Sequence, residues 1–351
     1  MNGSPNPSPV SALPRAGGPP PARARFRVRD EDFRVDERIE VPEHPTGAHW
    51  WLRVTKSGMN TRDAVRALAG LGSARVRQVG YAGLKDRHAV ATQWFSLPIE
   101  TLDPPSVIDR MPAGLTLHGW KRARHAIRRG GLRANRFHLV LRDVEGARAA
   151  LEHRLAALAG GVPNYFGAQR FGVGGANLPR ARRLFAGDAR DVPRFERGLY
   201  LSAARSWLFN LVLAERVRTG SWDRLLPGEA VILDGSRSWF ALAEPPAALA
   251  ERLARFDVHP SGPLFGVGEN AASGVCARLE RRVLAREPGL TAGLARLRMR
   301  AERRALRLVP RGLTWSFDGD DLALSFELPP GTFATSVLRE VADLEDASQP
   351  R

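Results

Sequence analysis

The sequence predicts an α/β fold in which one sheet domain is divided by an inserted segment. Stretches with alternating apolar residues, as in half-buried strands, occur before Gly161 and again after Pro310. Between these points lie a strongly predicted helix, a mixed region and further helix-forming stretches. The run from Gly160 to Pro163 ends a predicted helix, so we place one domain boundary there and a second at Pro310.

The part before Gly161 is predicted to contain several strands and two helices. Two short strands around a turn are predicted within 25–40, and further strands at 49–56, 76–80, 92–97 and 136–142. Asn60 or Thr61 is suited to cap a helix that ends at Gly70 or Gly72. A second amphipathic helix is predicted at 147–159.

The inserted segment is predicted to be an α/β domain in which a mixed region separates helical stretches. Its strongest helix spans 201–219, with Ser202 as the N-cap, and Pro288 interrupts helix-forming stretches over 284–306. After Pro310, alternation predicts a strand at 322–328, and Thr332 is suited to cap a short C-terminal helix.

The composition is that of a globular protein rather than a membrane protein. Hydrophobic residues make up 43% of 351, and no apolar run approaches the length of about 20 residues that spans a bilayer. Residues 1–24 are rich in Pro, Gly, Ser and Ala, so we predict a disordered tail there. The tail lacks the apolar core of a secretory signal and the chain has one cysteine, Cys276, which together predict a cytoplasmic location.

The formal net charge of +16 indicates an anionic partner such as a nucleic acid or a membrane surface. Nearly all of the 53 basic residues are arginine, which indicates a general compositional bias and lowers the weight of any single arginine. The same bias draws attention to the three lysines, which are Lys56, Lys85 and Lys121.

Cofactor and metal sites are not predicted. One cysteine and isolated histidines do not supply the usual ligand sets for zinc. The chain has no phosphate-binding loop of the G-x-x-x-x-G-K-[ST] type and no G-x-S-x-G motif. Short glycine pairs at 172–174 and 266–268 lack the complete dinucleotide-binding pattern.

The segment GYAGLKDRHAVATQWFSLP at 80–98 contains one carboxylate, Asp86, among three basic residues. Spacing alone favours a solvated charged turn. The alternative is a loop that presents Asp86 to an anionic substrate, where the neighbouring cations favour the ionised carboxylate and so a nucleophile.

Two further segments could contact RNA. In NYFGAQRFG (164–172), aromatic residues suited to base stacking alternate with polar and basic residues, although they could equally be core. The basic run at 121–136 could follow a phosphate backbone or form an ordinary solvated face.

Seven segments, in order along about residues 25–345, together resemble the TruD family of tRNA pseudouridine synthases. They are DEDFRVDE (30–37), KSGMNTR (56–62), AGLKDRHAVATQ (82–93), ANRFHLVLR (134–142), GVPNYFGAQRFG (161–172), LSAARSWLFN (201–210) and PGTFATSVLRE (330–340). The resemblance implies isomerisation of uridine 13, in the D-arm of tRNA, to pseudouridine, without a cofactor or a metal and with tRNA as the partner. We expect the protein to act as a monomer.

The resemblance also implies roles for individual residues. Asp86 matches the catalytic aspartate, which attacks either the ribose or the base. Asn135 and Phe137 match positions that hold the target nucleotide, and further aromatic positions near the substrate match Phe33 and Phe333. The basic partner of the aspartate is usually a lysine in this family; Arg27 stands at that position, and Lys85 is the local alternative.

The family fold implied by the resemblance is α+β, with a mixed sheet. It gives a catalytic pseudouridine synthase domain at 25–160 and 310–345 and an inserted family-specific domain at 161–309. Two other classes remain as alternatives at this point. One is a non-catalytic RNA-binding or chaperone protein on the same scaffold, and the other is an RNA methyltransferase, which the absent glycine pattern disfavours.

Overall fold

A computed structural model of the chain describes residues 9–189, 191–269 and 271–348. The strands are β1 (Ala22–Phe26), β2 (Phe33–Arg38), β3 (His49–Lys56), β4 (Gly80–Tyr81), β5 (Val90–Pro98), β6 (Leu115–Ala123), β7 (Ala134–Gly146), β8 (Val162–Pro163), β9 (Ala230–Leu233), β10 (Trp239–Ala241), β11 (Val258–Leu264), β12 (Glu302–Ala305), β13 (Arg307–Leu308), β14 (Arg311–Asp318), β15 (Asp321–Leu328) and β16 (Asp343–Asp346). The α-helices are α1 (Thr61–Leu71), α2 (Arg148–Ala157), α3 (Asn177–Ala186), α4 (Arg194–Arg218), α5 (Ala248–Ala254), α6 (Gly274–Leu284), α7 (Pro288–Arg296) and α8 (Ala334–Val341).

The chain divides into two compact units. The sheet unit comprises Pro21–His153, Pro310–Gly331 and the chain from Val341 onward. The helical unit comprises the chain before Pro21, Arg154–Val309 and Thr332–Glu340. One division lies between Val309 and Pro310. An earlier division lies within α2, between His153 and Arg154, and the segment Thr332–Glu340 belongs to the helical unit.

The sheet unit is built on one ten-stranded mixed sheet, as expected for this fold class. The strand order is β14-β15-β7-β2-β5-β3-β6, with β1 paired to β7 and β16, and β4 paired to β5. Most neighbours are antiparallel, but β2 runs parallel to β5 and β1 runs parallel to β16. Strands from both sides of the insertion therefore share one sheet.

Helix α1 covers one part of this sheet. Its N-cap is Asn60, whose side chain accepts hydrogen bonds from the amides of Arg62 and Asp63. Its apolar face packs on β3 and β5 in a common core that includes Val65, Leu68 and Phe95. This packing holds the start of α1 beside the loop between β4 and β5.

The helical unit is organised around the 25-residue helix α4. Phe209 and Leu213 of this helix are fully buried in its core. A four-stranded antiparallel sheet with the order β10-β9-β11-β12 accompanies the helices, and β8 pairs with β13.

Four local predictions are wrong, for identifiable reasons. Val76–Gln78 forms a 3-10 turn, so only Gly80–Tyr81 is a strand. Ser202 lies inside α4, where it accepts a hydrogen bond from Arg170 instead of capping the helix. Pro288 begins α7, because the first helical position tolerates the missing amide. Glu302–Ala305 is a strand that pairs with β11 rather than part of a helix.

The disordered tail predicted at 1–24 is wrong for residues 9–24, and residues 1–8 lie outside the described residues. Val10 and Leu13 are buried in the core of the helical unit beside Tyr165. Arg339 donates hydrogen bonds to the Leu13 and Pro14 carbonyls, and β1 already begins at Ala22. These few apolar side chains are enough to anchor a segment whose average composition suggested disorder.

Candidate active site

Asp86 lies in the loop between β4 and β5 of the sheet unit, and its carboxylate is held by one cation. The Nη2 atom of Arg27 lies 2.7 Å from Oδ2 of Asp86. The Asp86 side chain is 36% exposed, whereas that of Arg27 is only 5% exposed. The buried arginine therefore fixes the orientation of the Asp86 carboxylate, and part of the Asp86 side chain remains accessible to solvent.

Arg27 is itself held in an unusual conformation. Its φ of 58° is in the left-handed region, which is unfavourable for a side-chain-bearing residue. The guanidinium lies 4.3 Å from the ring centroid of Phe33 and bonds a second carboxylate, that of Asp346, at 3.4 Å. Its Nε atom is buried without a hydrogen-bond partner. These contacts hold Arg27 in a strained backbone conformation in which its guanidinium reaches Asp86.

Lys85 does not contact the Asp86 carboxylate, so of the two possible partners the structure places Arg27 there. Lys85 Nζ lies 3.0 Å from Oε1 of Glu37 and donates to Oδ1 of Asn135 at 2.9 Å. The other oxygen of Glu37 accepts from the Trp94 amide at 3.0 Å. Lys85 therefore links the loop to β2 and β7 and orients the amide of Asn135.

Phe33 and Phe137 form an aromatic layer beneath Arg27. Their ring centroids are 6.1 Å apart in an edge-to-face arrangement, and Phe137 also packs against Phe326 at 5.6 Å. Phe33 is 4% exposed and Phe137 is 7% exposed. The Arg27 guanidinium lies over the Phe33 ring, which in turn packs on Phe137, and little of either ring is accessible.

Phe333 belongs to the helical unit, unlike the other six predicted site residues. Its ring packs against Phe166 with a centroid distance of 6.0 Å, and the Arg170 guanidinium lies 5.8 Å from it. Within the sheet unit, Arg27 contacts Asp86, and the adjacent Lys85 contacts Asn135. Phe333 lies in the helical unit.

Lys56, at the end of β3, is a residue that the sequence analysis did not select for the site. It is fully buried, and its Nζ atom donates to the backbone carbonyls of Met59 and Asp86. Burial lowers the pKa of Lys56 to about 8, although Asp86 and Asp30 partly oppose that shift. Lysine is rare in this arginine-rich chain, and that rarity was the one sequence feature that drew attention to Lys56. A hydrogen bond to a backbone carbonyl leaves no pattern in a sequence.

The buried ammonium group of Lys56 should make stability depend on pH. The pKa is about 8 in the folded chain and 10.5 in the absence of burial. Between these values the unfolded chain holds more protons, so the contribution of Lys56 to the free energy of unfolding should rise with pH, by up to about 1.4 kcal/mol per pH unit. Urea unfolding of the wild type and Lys56→Met at about pH 7 and about pH 9.5 measures this. If the free energies of unfolding of the wild type and the variant differ by the same amount at both pH values, the lowered pKa of Lys56 is contradicted.

The two other candidate RNA-binding segments are largely engaged within the fold. Tyr165 and Phe171 are fully buried, which favours the core interpretation for these aromatic residues of 164–172. In the basic run, Lys121 pairs with Glu43 at 2.7 Å on the surface, and Arg136 pairs with Glu327 at 2.7 Å. Such exposed pairs contribute little to stability and can exchange partners.

The described residues contain no group of three or more His, Cys, Asp or Glu side chains that could hold a metal ion. Of the helices that the structure describes, none is both long and apolar enough to cross a membrane. A partly exposed carboxylate on a buried arginine is accessible to a substrate, and the net charge of +16 favours an anionic one.

Comparisons with known proteins define the family. The family model described as tRNA pseudouridine synthase D (TruD) matches residues 18–188 and 176–341. Proteins named tRNA pseudouridine synthase D are similar over almost their whole length. The one from Nitrosococcus oceani is 44% identical, covering 95% of each chain, and the one from Methylococcus capsulatus is 42% identical, covering 100% of this chain and 99% of the relative.

A solved structure shows the same fold. It is that of the putative tRNA pseudouridine synthase D from Methanosarcina mazei, with a TM-score of 0.67 at 20% identity, covering 93% of this chain and 94% of that one. The chain belongs to the tRNA pseudouridine synthase D (TruD) family, and it is therefore an enzyme, of the isomerase type.

Proposed function

We propose that this enzyme converts uridine 13 in the D-arm of tRNA to pseudouridine, with Asp86 as the nucleophile. The observation that carries the proposal is the contact between Arg27 and Asp86, on a loop within a family-like motif. We also propose that the enzyme acts as a monomer, because no step of the proposed reaction requires a second copy.

The proposed reaction moves one bond and leaves the composition of the RNA unchanged. The bond between N1 of uracil and C1′ of the ribose breaks, the base rotates, and C5 bonds to C1′. The C5 proton is lost and N1 gains a proton, so neither an oxidant nor a reductant is consumed. An ionised Asp86 can begin this sequence by attacking either the ribose or the base.

Arg27 and Lys85 have different roles in this proposal. Arg27 forms a short ion pair with Asp86 and fixes the direction of the carboxylate. Lys85 holds the side-chain oxygen of Asn135, which leaves the amide NH2 group to donate to the target nucleotide. The geometry around Asp86 would therefore depend on both cations, but only Arg27 contacts the carboxylate.

The aromatic residues would hold a uridine that has left the helical stack. A base inside folded RNA must be extruded before an enzyme can reach its glycosidic bond. We propose that Phe33 and Phe137 contact the extruded nucleotide in the sheet unit. For Phe333, in the helical unit, we propose a role in substrate binding. The positive net charge supplies affinity for the surrounding phosphates.

Pseudouridine mapping in cellular tRNA tests the assignment of position 13. Transfer RNA from a strain that lacks this protein should contain unmodified uridine at position 13 in those species that normally carry pseudouridine there. Expression of the wild type should restore the modification, and expression of Asp86→Asn should not. If pseudouridine is lost at a different tRNA position instead, the proposed target is incorrect.

A further inference from the structure

A pocket in the sheet unit, outside the contacts made by Asp86, is lined by four arginines. Arg62 and Arg66 come from the exposed face of α1, Arg77 comes from the 3-10 turn before β4, and Arg129 comes from the segment between β6 and β7. We call it the arginine pocket. Its volume is about 420 Å³, which suits a nucleotide-sized ligand.

The shape of the pocket is set by a close backbone approach at Gly80. The Ile127 amide donates to Oγ of Ser96 at 2.8 Å, which draws the segment before Arg129 onto β4 and β5. A Cβ atom at Gly80 would lie 2.6 Å from the Ile127 carbonyl oxygen, so only glycine permits this approach. The Gly130 amide continues the attachment by donating to the Ala82 carbonyl at 3.2 Å.

The charge of the pocket is not balanced by acidic lining residues. No Asp or Glu is among the described residues that line it. Arg66 pairs with Asp63 at 2.9 Å, but both side chains are largely exposed, so the pair is weak. The guanidinium of Arg129 donates to the Tyr81 hydroxyl at 3.1 Å. Neighbouring cations repel one another, and a bound anion would relieve that repulsion.

The arginine pocket is continuous in the chain with the loop that carries Asp86. Tyr81 lines the pocket, and the loop begins at the next residue. At the other side, Oγ1 of Thr61 accepts from the Lys85 amide at 2.8 Å, and Arg62, the next residue along α1, lines the pocket. An anion bound here would therefore contact α1 and β4, the two elements that adjoin the loop of Asp86.

We propose that the arginine pocket binds a backbone phosphate of the substrate tRNA at a nucleotide other than the one that is isomerised. Guanidinium groups match phosphate oxygens with two parallel hydrogen bonds, which makes a cluster of arginines a better phosphate site than a general positive field. The inference rests on the proposed function, because it takes the tRNA substrate from there. It adds a contact that positions the RNA relative to Asp86.

Removing two pocket arginines should weaken tRNA binding and its salt dependence together. For Arg77→Ala/Arg129→Ala, we expect the Kd for unmodified tRNA to rise about tenfold at low salt, and the slope of log affinity against log KCl concentration to fall by about 1–2. Filter binding over a KCl series measures both quantities. Excess inorganic phosphate at constant ionic strength should weaken binding by the wild type more than by the variant.

The matched control is Arg23→Ala/Arg110→Ala, which removes the same charge from exposed residues of the sheet unit that do not line the pocket. It should change the Kd by less than about twofold. The inference is overturned if the pocket variant binds like the wild type, if the control loses as much affinity, or if phosphate competes equally with both proteins. Pseudouridine formation by the wild type is measured separately, and its absence would count against the proposed function and not against the pocket.

Discussion

Replacing Asp86 by asparagine should lower the rate of pseudouridine formation by at least about 1000-fold and leave tRNA affinity nearly unchanged. The amide keeps the shape of the carboxylate and can still accept a hydrogen bond from Arg27, but it is not a nucleophile. Single-turnover reactions, followed by nucleoside analysis of the digested tRNA, measure the rate. Filter binding measures the affinity.

Asp143→Asn is the matched control for this substitution. Asp143 pairs with Arg25 at 3.1 Å in the same unit, so the variant also changes an aspartate that is paired with an arginine. Its φ of 52° is a conformation that asparagine accepts readily. The control should react at the wild-type rate. Substantial pseudouridine formation by folded Asp86→Asn would contradict a nucleophilic role for Asp86.

Replacing Arg216 by methionine should destabilise the helical unit by about 3–5 kcal/mol. Arg216 and Glu229 are 1% and 0% exposed, and their side chains meet at 2.9 Å. Arg216 also donates to the carbonyls of Ser221 and Arg224 at 2.7 Å. Methionine fills similar space but leaves a buried carboxylate without its cation. Hydrogen exchange of the α4 amides, measured by mass spectrometry, reports the local free energy of opening.

Two comparisons separate the buried charge from simple loss of packing. The double variant Arg216→Met/Glu229→Met removes both charges and should recover most of the lost stability. Arg218→Met removes a 53% exposed partner of Glu215 in the same helix and should cost less than about 1 kcal/mol. A single Arg216→Met variant as stable as the wild type would show that Glu229 does not depend on this cation.

Alternating apolar residues predicted much of the sheet, because successive side chains of a strand point to its buried and its exposed face in turn. The strands β3, β7 and β15 and helix α1 all lie where periodicity places them. The predictions failed where a distant contact decides the structure. Val10 and Leu13 are ordered by packing in the helical unit, and Ser202 is surrounded by a helix that starts earlier, at Arg194. No local pattern contains those contacts.

The candidate site was only partly predictable for a similar reason. The family resemblance supplied Asp86 and left Arg27 and Lys85 as alternative partners. The lysine next to Asp86 meets Glu37 and Asn135, while an arginine 59 positions away reaches the carboxylate, and a loop sequence does not show which of the two cations will do so. Lys56 was missed because it holds the backbone of Asp86 rather than its side chain.

The most direct test of the account is tritium release from tRNA labelled at C5 of its uridines. Isomerisation must release the C5 hydrogen, whereas RNA binding or chaperone activity leaves it in place. We expect about one tritium released per fully labelled uridine 13 in a tRNA that carries uridine there, and none from the same tRNA with cytidine at position 13 or with the Asp86→Asn enzyme. Equal release from both tRNAs, or none from either with the wild-type enzyme, would contradict it.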